Sequence, residues 1–300
     1  MSFVNLTIAT FNRLACTRLC LESIVARTRY PYVLTIIDNG STDGTREYLE
    51  EVRNDPRFAG KINRIVFLDR NMGISPAYNL GWVLSDAPYY MKIDNDVVFL
   101  RDDWLEVLVR SAETAEDAAM LGFGRNASTV RHAADDRLHY VSHVGGCTLI
   151  SRNAHEKIGF WNEDYGLYGE EDSDFGLRAR LAGFCNLKYA DGAGDFIRYV
   201  DDADADMMAF RHWKDAERKD NLDFMFLFND TMFKCGFREP YVGRMYLPVE
   251  RDGSFSFKVN REYLLRMEDL KRKYSPYIET IRESEDFKQI ESENGFDIWL

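Results

Sequence analysis

The stretch Tyr89-Tyr90-Met91-Lys92-Ile93-Asp94-Asn95-Asp96 decides how this chain is read. It is a mostly apolar segment that runs into two acids one residue apart. A strand of that composition is buried, and a buried carboxylate is tolerated only when solvated, paired or bound to a cation. Side chains two residues apart in an extended segment share one side. Asp94 and Asp96 therefore converge on one ligand. Hard oxygen donors of this kind suit Mg²⁺ or Mn²⁺, ions that keep waters and hold phosphates. The expectation is a metal–diphosphate site at the carboxyl end of a strand. Taken alone, the eight residues read equally well as an acidic turn.

Working outward, strands and helices alternate over the first hundred residues. Strands are expected at Phe3–Ala9, Tyr32–Ile37, Ile65–Leu68 and Tyr89–Ile93. Helices are expected at Leu14–Arg29, Arg46–Val52 and from Ser75-Pro76 to Leu84, with Ser75 as cap and Pro76 at the first helical position. The turn Asn39-Gly40-Ser41-Thr42-Asp43-Gly44-Thr45 supplies a cap for the second helix. Such alternation implies a parallel sheet with helical crossovers, and ligands of open sheets sit beyond the carboxyl ends of the strands. Thr10, Asp38, Arg70 and Asp94 all follow predicted strands and share that rim.

The middle reads as a helix at Trp104–Ala115, a strand at Ala119–Phe123, a loop over 125–140 and a strand at Gly146–Ile150. Ser151 caps a helix to Ile158. Another helix begins at Asp172 or Ser173 and stops near Gly183. The run Asp201-Asp202-Ala203-Asp204-Ala205-Asp206 reads as a solvated loop. From about 216 the pattern is mostly helical, Arg261–Tyr274 above all.

The formal charge of −12 over 300 residues argues against a nucleic-acid partner. No apolar run approaches the ~20 residues of a membrane span. The amino terminus reads as a first strand, not a signal peptide. Cys16, Cys20, Cys147, Cys185 and Cys235 form no CxxC and fit free thiols of a cytoplasmic protein. Cys16 and Cys20 fall on one helical face.

Four stretches together resemble the family 2 glycosyltransferases of the GT-A fold. They are Ile8-Ala9-Thr10-Phe11-Asn12-Arg13; Ile37-Asp38-Asn39-Gly40-Ser41-Thr42-Asp43-Gly44-Thr45; Asn71-Met72-Gly73-Ile74-Ser75-Pro76-Ala77-Tyr78-Asn79-Leu80-Gly81; and Asp94-Asn95-Asp96 with Tyr168-Gly169-Glu170-Glu171-Asp172-Ser173-Asp174-Phe175-Gly176-Leu177-Arg178. The resemblance spans roughly residues 3–184. It implies an α/β GT-A fold: a Rossmann-like, mostly parallel mixed sheet flanked by helices. Residues 1–215 would form the catalytic domain, with 1–100 as the nucleotide-sugar half and 101–215 as the acceptor half. Residues 216–300 would form a mostly helical extension.

The resemblance also implies roles. Thr10, Phe11 and Asn12 fall on the donor-binding turn, with Phe11 under the nucleotide base. Asp38 would accept from the base imide N–H, and Arg70 would approach the base or diphosphate. Asp94 would contact the ribose, Asn95 lies between the two acids, and Asp96 would ligate the Mn²⁺ or Mg²⁺ on the diphosphate. Asp172 would be the general base, with Glu171 a competitor for that task. His212 is a candidate late metal ligand. The implied reaction is metal-dependent, inverting transfer from a UDP, dTDP or GDP sugar. The acceptor is left open among glycan, lipid-linked, protein and small-molecule hydroxyls, and an oligomer is compatible. Two alternatives stay in view: a nucleotide-sugar-binding protein without turnover, and a haloacid-dehalogenase-type phosphatase using the Asp94 strand. The second usually carries its aspartate on the first strand, whereas three strands precede Asp94 here.

Overall fold

The computed structural model describes residues 3–123, 130–133, 135–189, 193–200 and 222–293. His212 and the acidic run 201–206 lie outside the described residues. Strands β1 (Val4–Thr10), β2 (Tyr32–Asp38), β3 (Ile62–Phe67) and β4 (Tyr89–Asp94) are mutually parallel in the order β3-β2-β1-β4. Helices α1 (Leu14–Arg27), α2 (Thr45–Asn54) and α3 (Ile74–Val83) make the crossovers that parallel strands require. β5 (Val97–Phe99) leaves this sheet. The sheet then continues through β6 (Ala118–Phe123), β7 (Arg131–His132), β8 (Asp135–Tyr140), β9 (Cys147–Ser151) and β10 (Cys185–Tyr189). Its nine-stranded order is β3-β2-β1-β4-β9-β6-β10-β8-β7, with β9 antiparallel to both β4 and β6. β5 pairs with β11 (Ile197–Tyr199) in a separate two-stranded ribbon.

Period-two alternation along β4 sorts its residues between two cores. Met91 and Ile93 join a cluster with Cys20, Ile24, Leu49 and Leu108, beneath α1, α2 and α4 (Trp104–Thr114). Tyr90 faces the other way, among Tyr78, Trp82, Trp161 and Phe175, beneath α3, α5 (Arg152–Ile158) and α6 (Glu171–Leu181). Cys16 and Cys20 do share the buried face of α1, and none of the five cysteines, all among the described residues, forms a disulfide. Gly81 is where α3 touches β1: a Cβ there would stand 2.2 Å from Thr7 Cγ2, so only glycine permits this approach.

Helix starts differ from the sequence reading in a consistent way. α3 begins one residue before Ser75, and its cap is Gly73, with φ of 100°. α6 begins at Glu171 behind a left-handed Glu170. α2 is capped by no side chain of its own. Instead Asp43 accepts from Thr45 N at 3.1 Å and, through its other oxygen, from Leu14 N at 2.9 Å, so one carboxylate closes the starts of α2 and α1. Ser151 caps α5 as its type predicts, accepting from Ala154 N.

One expectation fails. The 125–140 stretch holds β7 and β8, not a continuous loop. β8 reads Asp-Asp-Arg-Leu-His-Tyr, and only Leu138 and His139 are buried. Polar residues on the open side of an outer strand hide it from a hydrophobicity pattern. The described part beyond 216 is mostly helical, with one hairpin that the sequence reading did not place. Helices at Leu222–Lys234, Arg261–Tyr274, Ile278–Glu283 and Glu285–Glu293 are joined by a hairpin of β12 (Tyr246–Arg251) and β13 (Ser254–Val259). Its two-residue turn is Asp252-Gly253, both at positive φ (50° and 78°), the signature of a primed hairpin turn. That dipeptide was the available signal.

Candidate active site

The carboxyl ends of β1, β2 and β4 open on a cleft enclosing about 580 Å³, open solvent included. Thr10, Phe11, Asp94, Asn95 and Asp96 line it, as the sequence reading placed them. So do Arg13, Asn39, Tyr78 and Tyr168, to which that reading gave no task. Three of the residues predicted to bind the donor are not among its lining, nor are Glu171 and Asp172. Asn12 sits at φ of 55°, and its backbone N donates to Ser41 Oγ while its side-chain oxygen accepts from Thr42 N, both at 2.8 Å. It thus ties the two rim turns together. Arg70 is exposed, with Nε 3.4 Å from Met72 Sδ. Asp38 is fully buried behind the lining. One Asp38 oxygen accepts from Ser41 N, and the other has no hydrogen-bond partner. Burial pushes its pKa up, against the hydrogen bonds of Ser41 and the charge of Arg46.

Asn39 organises the rim beside it. Its amide donates to Gly73 O at 3.0 Å and accepts from Met72 N at 2.8 Å. Ile74 N in turn donates to Leu167 O, which brings Leu167 and Tyr168 over the cleft.

The two acids of β4 have different company. Asp96 Oδ2 accepts from Arg13 Nη1 at 3.1 Å, while its buried Oδ1 has no hydrogen-bond partner among the described residues. A buried carboxylate oxygen without a donor is where a cation fits, and oxygen donors suit a hard divalent ion. Asp94 Oδ1 accepts from Tyr78 OH and from Lys92 Nζ, each at 3.0 Å.

Lys92 is the residue that sequence reasoning missed. It is fully buried in the middle of β4. Its ammonium stands 3.0 Å from Asp94, 3.3 Å from Asp172 and 4.0 Å from Glu171. The signal was visible: a lysine within an apolar strand, two residues before an acid and so on its side. Asp172 and Glu171 open α6, where the positive end of the helix favours carboxylates. Burial raises the pKa of both. Each acid's neighbouring negative charges add to the rise, and Lys92 opposes it. Burial works against the Lys92 charge too, but the acids around it hold its pKa above the usual lysine range. The cleft acid Asp94 and the two acids that open α6 thus meet on one buried ammonium.

The family model for glycosyl transferase family 2 matches residues 6–160, which hold β1 to β4 and both acids of the Asp94–Asp96 element. The chain belongs to glycosyl transferase family 2. A second model, described as the N-terminal domain of galactosyltransferase, matches residues 125–199, which hold Asp172. Over 77 residues this family 2 chain is 34% identical to the teichoic acid poly(glycerol phosphate) polymerase of Staphylococcus epidermidis, covering 26% of the chain and 10% of that protein. It is 24% identical over 214 residues to the uncharacterized protein y4gI of Sinorhizobium fredii, covering 61% of the chain and 23% of that protein. The chain thus spans less than a quarter of either relative.

Among solved structures, it resembles S. aureus TarS 1–349 in complex with UDP-GlcNAc (TM-score 0.51, 15% identity, 70% of this chain and 61% of that one). It also resembles GalNAc-T7 with UDP, GalNAc and Mn²⁺ (0.52, 13%, 63% and 42%). A third is the mannosyltransferase PcManGT of Pyrobaculum calidifontis with GDP-Man and Mn²⁺ (0.50, 17%, 63% and 55%). At these identities the likeness is one of fold, and the fold is GT-A. No helix among the described residues is long and apolar enough to cross a membrane.

A second group of metal-type side chains, Asp117, His132 and Cys185, lies at the β6–β10 side of the sheet. Its members already bond one another: His132 Nε2 lies 3.3 Å and Cys185 Sγ 3.5 Å from the Asp117 carboxylate.

Proposed function

We propose that this protein transfers a sugar from a nucleoside diphosphate to an acceptor hydroxyl with inversion, assisted by Mn²⁺ or Mg²⁺. The carrying observation is that Asp94, inside the donor cleft, and Asp172, at its lip, meet on one buried ammonium. A donor seated in the cleft lies with its diphosphate near Asp96 and its sugar toward Asp172. Phe11 offers a ring face for the nucleotide base. The uncommitted oxygen of buried Asp38 suits an imide N–H, a feature of uracil, thymine and guanine.

A hydroxyl is a weak nucleophile at neutral pH until a positioned carboxylate takes its proton. Asp172 does this here, its pKa raised by burial toward the range where a base works best. Attack from the Asp172 side, opposite the departing diphosphate, inverts the anomeric carbon. Asp96 would hold the divalent ion, which when bound supplies positive charge to the leaving group. Arg13, already on Asp96, lies within the same cleft and adds to that field.

The test uses the full chain with Mn²⁺ and a panel of UDP, dTDP and GDP sugars, reading release of the nucleotide. Asp172→Asn is expected to lower turnover by about 10²- to 10⁴-fold while donor binding by calorimetry stays within about threefold. Near-normal turnover in that variant rules out Asp172 as the base. No donor bound or turned over by the parent protein rules out the transfer itself.

A further inference from the structure

We infer that Lys92 is a positioning residue of the transfer step: its ammonium ties the acceptor-side carboxylate of Asp172 to the donor-side carboxylate of Asp94 and fixes the aim of both. This inference rests on the function proposed above.

Lysine is almost never fully buried unless paired. Burying an ammonium costs several kcal/mol before any partner is counted. A fold that needed only stability here would place an apolar residue in a central strand flanked by β1 and β9. Lys92 instead sits with its Cα opposite Thr7 and Thr148, in the interior of the sheet between β1 and β9. Two rings confine its head: the Nζ lies 5.2 Å from the Tyr78 ring centre and 5.7 Å from that of Trp161. Tyr78 also donates to Asp94, so cation, ring and donor-side acid form one closed set.

Among the described residues, Asp172 has no comparable support from elsewhere: its Oδ1 has no hydrogen-bond partner there, and Lys92 Nζ stands 3.3 Å from Oδ1 and 3.4 Å from Oδ2. Gly145 passes beside it, where a Cβ would approach Oδ2 to 3.1 Å, so the carboxylate packs on bare backbone. Charged and titratable groups face it from every side: Lys92 and Asp94 from β4, Tyr78 from α3, Tyr168 from the preceding loop, and Glu170 and Glu171 from its own segment. Among these Lys92 alone is cationic. His143 and Lys188 stand further out, near Glu170 and Glu171.

Removal of the cation therefore has two effects. The carboxylate loses its anchor, which lowers kcat. It also loses the charge that keeps it ionised, which moves the acid limb of the rate profile upward. KM for the donor moves less, because Tyr78 still holds Asp94 when the ammonium is gone.

The experiment measures donor hydrolysis against pH, with the donor that the panel selects and Mn²⁺, for the parent, Lys92→Met and Lys92→Arg. In Lys92→Met, kcat is expected to fall about 10²-fold and the acid limb to rise by about one pH unit, with KM within about threefold. In Lys92→Arg the charge is kept but the planar fork displaces the acids. There kcat falls several-fold and the limb stays in place. A folded Lys92→Met with parental kcat and acid limb overturns the proposal. If Lys92→Met fails to fold, Lys92→Arg decides: parental kcat and KM make the lysine structural only, and a selective loss of kcat upholds its role. A parent without turnover counts against the transfer reading; a working parent with unaffected variants counts against Lys92 alone.

Discussion

At the scale of single residues, each acid of the cleft meets a cation, and one of them keeps an oxygen to spare. Asp96 shows this best. Arg13 takes one of its oxygens and leaves the other buried and unbonded. Asp96→Ala removes the oxygens and frees the guanidinium. The expected outcome is an at least tenfold loss of UDP affinity in Mn²⁺ with little change in its absence, measured by calorimetry with and without the ion. Equal losses under both conditions would make Asp96 a plain structural anchor. The acids were legible because two carboxylates end an apolar strand in company with three other matching stretches, which an acidic turn alone does not explain. Lys92 stood out as a lysine in that strand, but its task did not, because that depends on Glu171 and Asp172, some eighty residues further along. Asp38 shows the converse: its position was legible, but its complete burial behind Ser41 and Arg46 is a product of how the two rim turns close.

At the scale of elements, strands were read well where they are buried on both faces and poorly where they are not. β1, β2 and β4 are runs that sheet burial writes directly into composition. β8 and the β12–β13 hairpin are half exposed, and turn chemistry alone marks the second. Helix starts moved because glycines and left-handed residues occupy the cap positions of α2, α3 and α6, with Asp43 closing α2 from one residue further back. The hairpin is tied to α3 through Glu163. Its carboxylate accepts from Asn79 on α3 and from Tyr246 N on β12, each at 2.7 Å. Burial raises the Glu163 pKa to about 7, against these hydrogen bonds. Below the ordinary glutamate pKa both folded and unfolded chains hold the proton. Between there and about 7 the unfolded chain ionises first. Stability therefore falls as pH rises through this window, by about 3 kcal/mol, and is flat above it. Urea melts of the parent and Glu163→Gln across that range check this. The difference between them should shrink the pH slope by that amount, and identical slopes would refute the assignment.

At the scale of the whole molecule, the segment beyond 222 is not loosely hung. Arg238 is buried, and donates to Asp164 at 2.7 Å and to Asn229 and the Tyr263 hydroxyl at 2.6 Å. It binds two of the later helices to the loop that precedes α6. Asp174 and Arg178 extend the network: Arg178 donates to Asp174 and to the carbonyls of Ile158 and Phe160. Arg238→Ala strands the Asp164 carboxylate and should cost about 3–5 kcal/mol. Denaturant unfolding followed by fluorescence and by circular dichroism checks this, and a loss below about 1 kcal/mol would show that the network is incidental. None of it was legible, since a run of helical periodicity does not say what it packs against.

The buried lysine also has a consequence for how the protein is made. As the chain leaves the ribosome, the strand carrying Lys92 emerges long before two of the acids that surround it. Until those arrive, the nascent sheet holds a positive charge at its centre with only Asp94 for company. The interior electrostatics of the amino-terminal half are thus completed by a sequence it must wait for.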